Sequence, residues 1–223
     1  MSQADPFSKR LRECLGRETQ TILTSHFAKN TNTYNHGDPA ADVYLIETGQ
    51  VKLLMLSPSG KECLLAIYAP GDVFGEACLS RAGASRLETA TAMKDTTLKV
   101  IPSTTLLECL SRHSLLESFV QYLVLRLSHQ QQVITSMVTI DSEQRLAETL
   151  LLLTRTLGKA DPRSTRIEPR ISHEELSQMV GTTRPRITTF TNKFRGLGLI
   201  DTSARQFLIV HEAKLAAHLS SLA

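Results

Sequence analysis

The side chains with the clearest chemistry lie between residues 184 and 195: Arg184, Arg186, Thr188, Thr189, Asn192, Lys193 and Arg195. They offer guanidinium, ammonium, amide and hydroxyl groups, the set that hydrogen-bonds to phosphate oxygens and base edges. Ile187, Phe190, Phe194 and Leu197 fall between them at helical spacing. The polar set therefore lines the outer face of a helix whose other face is apolar.

The residues just before must position that helix. Ser172 and Glu175 stand three apart and form a capping box, each satisfying an orphan amide at a helix start. Leu176, Met179 and Val180 follow at helical spacing, and Gly181 supplies the left-handed residue that ends the helix. Thr182 or Thr183 caps the second helix. Pro185 suits a first helical turn but disfavours helical geometry at Arg184, so this helix is expected to begin one residue late. Two short helices, a tight glycine turn and a donor-rich outer face make a helix-turn-helix, in which one helix enters the major groove and the other braces it. The candidates for DNA contact are Ser172, Thr183, Arg184, Pro185, Thr188, Thr189, Asn192 and Lys193. The plainer alternative is a helical hairpin with a solvated face.

Two features favour DNA. After Gly196 and Gly198 the run LIDTSARQFLIV holds two short apolar strands, near Leu199–Ile200 and Phe207–Val210, around a polar turn at Ser203–Arg205. That is the pattern of a wing. Residues 176–205 also carry five Lys/Arg against one acid, Asp201. From Asp141 onward there are 12 basic and 9 acidic residues, against 13 and 13 before it, so the excess positive charge is C-terminal.

With 223 residues the chain can bury two small cores. Cys14, Cys63, Cys78 and Cys109 are 49, 15 and 31 apart with no CxxC, a spacing that announces neither a zinc site nor a disulfide framework. Reduced thiols in a cytoplasmic protein are expected. The apolar run around Leu150–Leu153 is too short to span a bilayer, and MSQADPFSKRLREC lacks a signal peptide's hydrophobic segment. No membrane association is expected.

Taken in order, residues 7–30 read as an amphipathic lead-in, with Phe7, Leu11, Leu15, Ile22, Leu23 and Phe27 at helical intervals. From Thr31 to Ile101, short β-rich runs separated by Gly and Pro imply a small all-β sandwich or barrel, with SPSG at 57–60 as a hairpin turn. A short helix capped near Ser103 follows. A long one then runs from about Ser114 to Ile140. Its heptad seam is Leu116, Phe119, Leu123, Arg126, Gln130, Val133, Met137 and Ile140, and Val120, Leu127 and Ile134 form a second stripe. Two stripes call for two partners: a second copy of the chain along the seam, and the chain's own β domain along the other; the plainer alternative is a single amphipathic helix that packs its seam on the β domain. Asp141, with Gln144 in the reciprocal position, caps the next helix and makes residues 139–142 the expected hinge. Residues 158–170 read as a polar connection leading into a short strand, and HEAKLAAHLSSL as a terminal helix.

PGDVFGEACL with Arg86, DSEQRLAETLL and ISHEELSQMVGTTRPRI together resemble the cyclic-AMP receptor protein/FNR family of bacterial transcription regulators. The resemblance implies an α+β chain: an N-terminal β-roll of the cyclic-nucleotide-binding type, a long dimerisation helix and a C-terminal winged helix-turn-helix domain, over residues 1–113, 114–140 and 141–223. It implies a homodimer on a pseudo-palindromic operator, RNA polymerase as a partner through residues 158–166, no enzymatic activity, and a cyclic nucleotide such as cyclic AMP as effector. Gly75 and Glu76 would meet the ribose and Arg86 the cyclic phosphate. Leu87 stands where the family has a phosphate-binding hydroxyl, and Gln130 and Gln131 where it has its adenine-contacting pair. Arg184 would read a guanine. Glu88, two residues beyond Arg86 in an extended strand, should share its face, pair with it and weaken cyclic AMP binding. The family's iron–sulfur sensing needs clustered N-terminal cysteines, and Cys14 stands alone. The seven histidines, His26, His36, His113 and His129 among them, show no spacing that marks a haem ligand. An effector-independent or protein-regulated member of the fold is the alternative, and a signalling module that does not bind DNA a more distant one.

Overall fold

The computed structural model describes residues 6–16, 22–81, 83–161, 164–168, 171–202 and 208–222. The chain forms two compact units that divide between Gln130 and Gln131, inside the long helix rather than at either of its ends.

The first unit opens with α1 (Pro6–Leu15) and continues through β1 (Leu23–Phe27), β2 (Asn32–Tyr34), β3 (Asp42–Thr48), β4 (Val51–Leu56), β5 (Glu62–Tyr68) and β6 (Val73–Phe74). A 3₁₀ turn (Glu76–Leu79), β7 (Thr89–Ala92), β8 (Thr96–Pro102), α2 (Ser103–Arg112) and the start of α3 (Leu116–Thr139) complete it. Two antiparallel four-stranded sheets result, ordered β1-β8-β3-β6 and β2-β7-β4-β5. Strand alternation in β3 builds both cores. Val43 and Leu45 face a core shared with Phe7, Leu11, Leu106 and Leu110, while Tyr44 and Ile46 face a second with Val51, Leu53, Phe74 and Leu98. The SPSG turn joins β4 to β5 as expected, with the Gly60 amide donating to the Ser57 carbonyl at 2.9 Å.

Two local readings change. The helical lead-in stops at Leu15, and Leu23 to Phe27 instead pair with β8, leaving Leu23 68% exposed. Helical spacing there was accidental, because an edge strand takes apolar residues on either face. Ser103 is the first residue of α2 rather than its cap. Pro102 holds the cap position without a side-chain bond.

The largest change is in α3. Phe119 is 5% exposed, with its ring 5.3 Å from that of Phe7, and Leu123 packs on the same core. Arg126 turns toward the β strands, and Met137 lies against Gly181 in the second unit. The stripe read as a seam between two copies is thus covered within the chain at Phe119, Leu123 and Arg126, while Leu116 (56% exposed), Val133 (46%) and Met137 (38%) stay open. The stripe assigned to docking is open along its whole length: Val120 is 50% exposed, Leu127 54% and Ile134 65%. Val124 and Val138 extend it at the same spacing and are also exposed. Two seven-residue periods one residue apart satisfy the same count, so spacing alone could not say which faces inward. The aromatic rings of Phe119 and Tyr122 decide it by filling the core.

The second unit takes the last part of α3, then α4 (Ser142–Leu157), β9 (Gly158–Asp161), β10 (Ser164–Ile167), α5 (His173–Val180), α6 (Arg184–Gly196), β11 (Ile200–Asp201), β12 (Leu208–Val210) and α7 (Glu212–Leu222). Its sheet runs β11-β12-β10-β9. The polar connection at 158–170 therefore contains a hairpin, with Ser164 opposite Asp161. The turn of the wing, at Ser203–Arg205, lies outside the described residues, as does Arg163. Asp141 caps α4 as expected, its Oδ1 accepting from the amides of Glu143 and Gln144 at 2.8 and 2.9 Å. The expected hinge at 139–142 is fastened. Arg145 donates to the carbonyls of Ile140 (2.6 Å), Ser136 (3.4 Å) and Val180 (2.9 Å), and the Ser136 hydroxyl donates to Glu148 at 2.8 Å.

Candidate nucleic-acid interface and effector cavity

The reading surface is built from caps inward. The Ser172 hydroxyl accepts from the Glu175 amide at 3.1 Å, and the Glu175 carboxylate accepts from the Ser172 amide at 2.9 Å. Gly181 ends α5 at φ 67°, ψ 46°, and an added Cβ there would lie 2.9 Å from the Met137 sulfur. Both the left-handed conformation and the close approach demand glycine. Helix α6 then begins at Arg184 itself, with Thr183 as a cap that makes no side-chain bond. The late start expected from Pro185 does not occur, because a proline in the first turn forfeits no intrahelical hydrogen bond and its bias on the preceding residue is weak enough to be overridden.

The buried face of α6 is Ile187, Thr191 and Phe194, whereas Leu197 is 52% exposed and Phe190 only partly covered. A threonine fits inside because its hydroxyl donates to the Ile187 carbonyl at 2.8 Å. Arg184, Pro185, Arg186, Thr188, Thr189, Asn192, Lys193 and Arg195 are all exposed, as is Ser172 on the preceding helix start. The Thr188 hydroxyl lies 3.0 Å from His173 Nδ1, which ties the two helices together. Lys193 is not idle: its Nζ sits 2.6 Å from Glu143 of α4.

In the first unit a cavity of about 230 Å³ is lined by Leu53, Leu65, Tyr68, Glu76, Arg126 and Gln130, with Leu87 and Glu88 beside them. It is smaller than the about 300–1,000 Å³ of pockets that take drug-sized ligands. Gly75 (φ 83°) begins the 3₁₀ turn, and an added Cβ would come within 2.8 Å of Arg86 Nη1. Arg86, 2% exposed, donates from Nη1 to the Gly75 carbonyl and from Nη2 to the Asp42 carbonyl, both at 2.7 Å. Its guanidinium lies 4.3 Å from the centre of the Tyr34 ring and 5.3 Å from that of Tyr44. Only Nε lacks a hydrogen-bond partner.

The expected Arg86–Glu88 pair does not form. Residues 87 and 88 bend instead of continuing a strand, and Glu88 accepts from the Tyr34 hydroxyl at 2.6 Å. Burial, with Glu88 adding to it, holds the Tyr34 hydroxyl protonated far above the ordinary tyrosine range. Glu76 is engaged as well, its carboxylate 2.8 Å from Arg126, which also donates to the Tyr68 hydroxyl and to the Val73 carbonyl (3.2 Å). Burial opposes the Arg126 charge, but Tyr68, Glu76 and Tyr122 together outweigh it and raise its proton affinity. Gln130 lines the cavity; Gln131 does not line it and is exposed. Leu87 is 61% exposed at the cavity edge.

The residue set fits a cyclic nucleotide only in part. The Gly75–Glu76 step is present, but the Arg86 fork is spent on carbonyls and Glu76 on Arg126. Sequence reasoning missed the four tyrosines that hold these arginines, Tyr34, Tyr44, Tyr68 and Tyr122. The one charged residue of the heptad seam was the available signal for Arg126, since such a residue needs a partner when covered.

A two-sheet β-roll followed by a long helix and a winged helix-turn-helix defines a class of DNA-binding regulator. Residues 24–113 match the cyclic nucleotide-binding domain, and residues 144–218 the Crp-like helix-turn-helix domain. With both domains in that order, the chain belongs to the cyclic-AMP receptor protein/FNR family of transcription regulators, which are not enzymes. It is 26% identical over 199 residues to the CRP-like cAMP-activated global transcriptional regulator of Mycobacterium tuberculosis, covering 89% of this chain and 88% of that one. The global nitrogen regulator of Synechocystis is 26% identical over 218 residues, 97% and 96% of the two chains. The structure of FixK2 from Bradyrhizobium japonicum superposes with a TM-score of 0.76 at 20% identity, covering 88% of this chain and 96% of that one, and shares its fold. No helix among the described residues is long and apolar enough to cross a membrane.

Proposed function

We propose that this chain is a homodimeric, sequence-specific DNA-binding transcription regulator controlled by a small anionic effector of the cyclic nucleotide class. The observation that carries the DNA reading is the exposed donor face of α6, held by the Ser172 capping box and the Gly181 turn. The second copy is called for by the open stripe of α3. Val120, Val124, Leu127, Ile134 and Val138 stand at 4, 3, 7 and 4 residues, a heptad interrupted only by Gln131, and all are half or more exposed. Two copies would place two α6 helices about one helical turn of DNA apart. Contact with RNA polymerase through the β9–β10 hairpin belongs to the same reading, and loss of promoter-driven transcription in Lys159→Ala without loss of DNA binding supports it.

Selection from random duplexes is expected to recover a pseudo-palindrome, and sedimentation a dimer that Leu127→Arg converts to monomer. A wild-type monomer on DNA overturns the dimer. For the effector, binding requires Arg126 to leave Glu76 and Arg86 to leave its carbonyls, so cyclic AMP binds weakly. Calorimetry should show at least about tenfold tighter binding by Arg126→Ala, which frees Glu76 for a ribose hydroxyl at the gain of one charge-assisted hydrogen bond. Tight binding by the unaltered protein refutes the closed cavity. No binding by either form leaves an effector-independent regulator.

A further inference from the structure

Away from both sites, the structure brings together three residues that the sequence keeps far apart. Cys14 lies in the last turn of α1, Cys109 in the last turn of α2, and His113 directly after it. The two sulfurs and a His113 ring nitrogen all lie within 4.8 Å of one another. We propose that Cys14, Cys109 and His113 form a binding site for a thiophilic d¹⁰ metal ion of the zinc type, with a fourth position left for water.

Cys109 and His113 are four apart, so one turn of helix sets them on one face, and the His113 amide donates to the Cys109 carbonyl at 3.1 Å. Cys14 faces them because Leu11 and Leu15 on either side of it anchor α1 in the core that also holds Leu106 and Leu110. Tetrahedral zinc, with bonds of about 2.3 Å to sulfur and 2.0 Å to nitrogen, needs ligand atoms about 3.5–3.8 Å apart, a closure of roughly 1 Å from the present arrangement. Cys109 is fully buried and forms the floor, while Cys14 and His113 are half-buried and leave an entrance. Both helices end here, so the negative ends of two peptide dipoles converge on the site. They favour a cation there. Binding is redox-neutral: two S–H bonds break, two metal–sulfur bonds form, two protons leave to solvent, and His113 binds as neutral imidazole. The ion would staple α1 to α2.

The test is titration of the reduced, full-length protein with cobalt(II). One ion per chain should give a thiolate-to-cobalt charge-transfer band and tetrahedral d–d bands, both removed by one equivalent of zinc(II). Cys14→Ser, at a half-buried position that circular dichroism can show to be folded, should abolish the charge-transfer band at the same cobalt concentration. His113→Gln should weaken binding by at least about tenfold, the loss that even an outer-shell partner brings. Cys63→Ser, at an exposed thiol, should titrate as wild type. Absence of the bands in reduced wild type, or an unchanged titration of Cys14→Ser, overturns the site. So does a disulfide between Cys14 and Cys109 in air-oxidised protein whose reduced form takes no cobalt.

Discussion

The β-roll cavity and the outer face of α6 use the same residue types to opposite ends. In and beside the cavity each of these charges has a partner within the domain: Arg86, behind the lining, its two carbonyls, Arg126 its carboxylate, Glu88 its tyrosine hydroxyl. On α6, Arg184 and Arg186 stand exposed, and among the described residues Lys193 is the site cation that is ion-paired, to Glu143. A buried guanidinium must satisfy its N–H groups or lose several kcal/mol, so burial closes the first set. Exposure keeps the second set available, because water gives up its hydrogen bonds at small net cost when DNA arrives. The difference teaches that a binding motif is ready to act only where its donors are not already used inside the fold.

The sharpest break of that contrast is Arg86→Ala. It orphans two buried carbonyls and leaves a gap beside Tyr34, so the first unit should lose about 3 kcal/mol in urea unfolding. A loss near zero would mean that Arg86 is not structural. Arg184→Ala should leave unfolding unchanged but cost about 1–3 kcal/mol of discrimination at one base pair per half-site, read by competition binding. A uniform loss across sequences would make Arg184 a phosphate contact.

A smaller effect comes with pH. Burial raises the Tyr122 hydroxyl from 10.0 to about 12, and that hydroxyl donates to the Val73 carbonyl at 3.1 Å. The folded state holds this proton more tightly than the unfolded chain. The resulting stability is complete below pH 10 and drains away as pH rises toward about 12. Unfolding of Tyr122→Phe followed over that range should lack the Tyr122 contribution. The smallest effect is on Lys193. Glu143→Ala frees it and should strengthen DNA binding on every sequence, whereas Lys193→Ala should lower the salt slope by about 0.9 per half-site. Equal salt slopes in wild type and Lys193→Ala would remove Lys193 from the interface.

What could be read from the sequence follows the range of each signal. Caps are local, so Asp141 with Gln144 and Ser172 with Glu175 stood where spacing put them. The helix-turn-helix and the β-roll were legible because glycines, apolar alternation and charge all agreed there. Side-chain pairing across sheets was not. Nothing in the string says that Glu88 meets Tyr34, 54 residues away, or that Arg126 meets Glu76. The two stripes of α3 were both visible, but choosing the inner one needed the volume of the core. Cys109 and His113 carried a local hint in their i, i+4 spacing, whereas Cys14 joins them only through the packing of α1.

The clamp at Arg145 has a consequence for how the long helix breathes. One guanidinium holds the carbonyls of Ser136, Ile140 and Val180, and the contact boundary falls between Gln130 and Gln131. Amides from Leu116 to Gln130 therefore exchange with solvent when the β-roll opens, and those from Gln131 to Thr139 when the reading head does. Deuterium uptake along a single unbroken helix would then fall into two cooperative blocks, with the step at a glutamine pair rather than at the proline or glycine where helices usually yield.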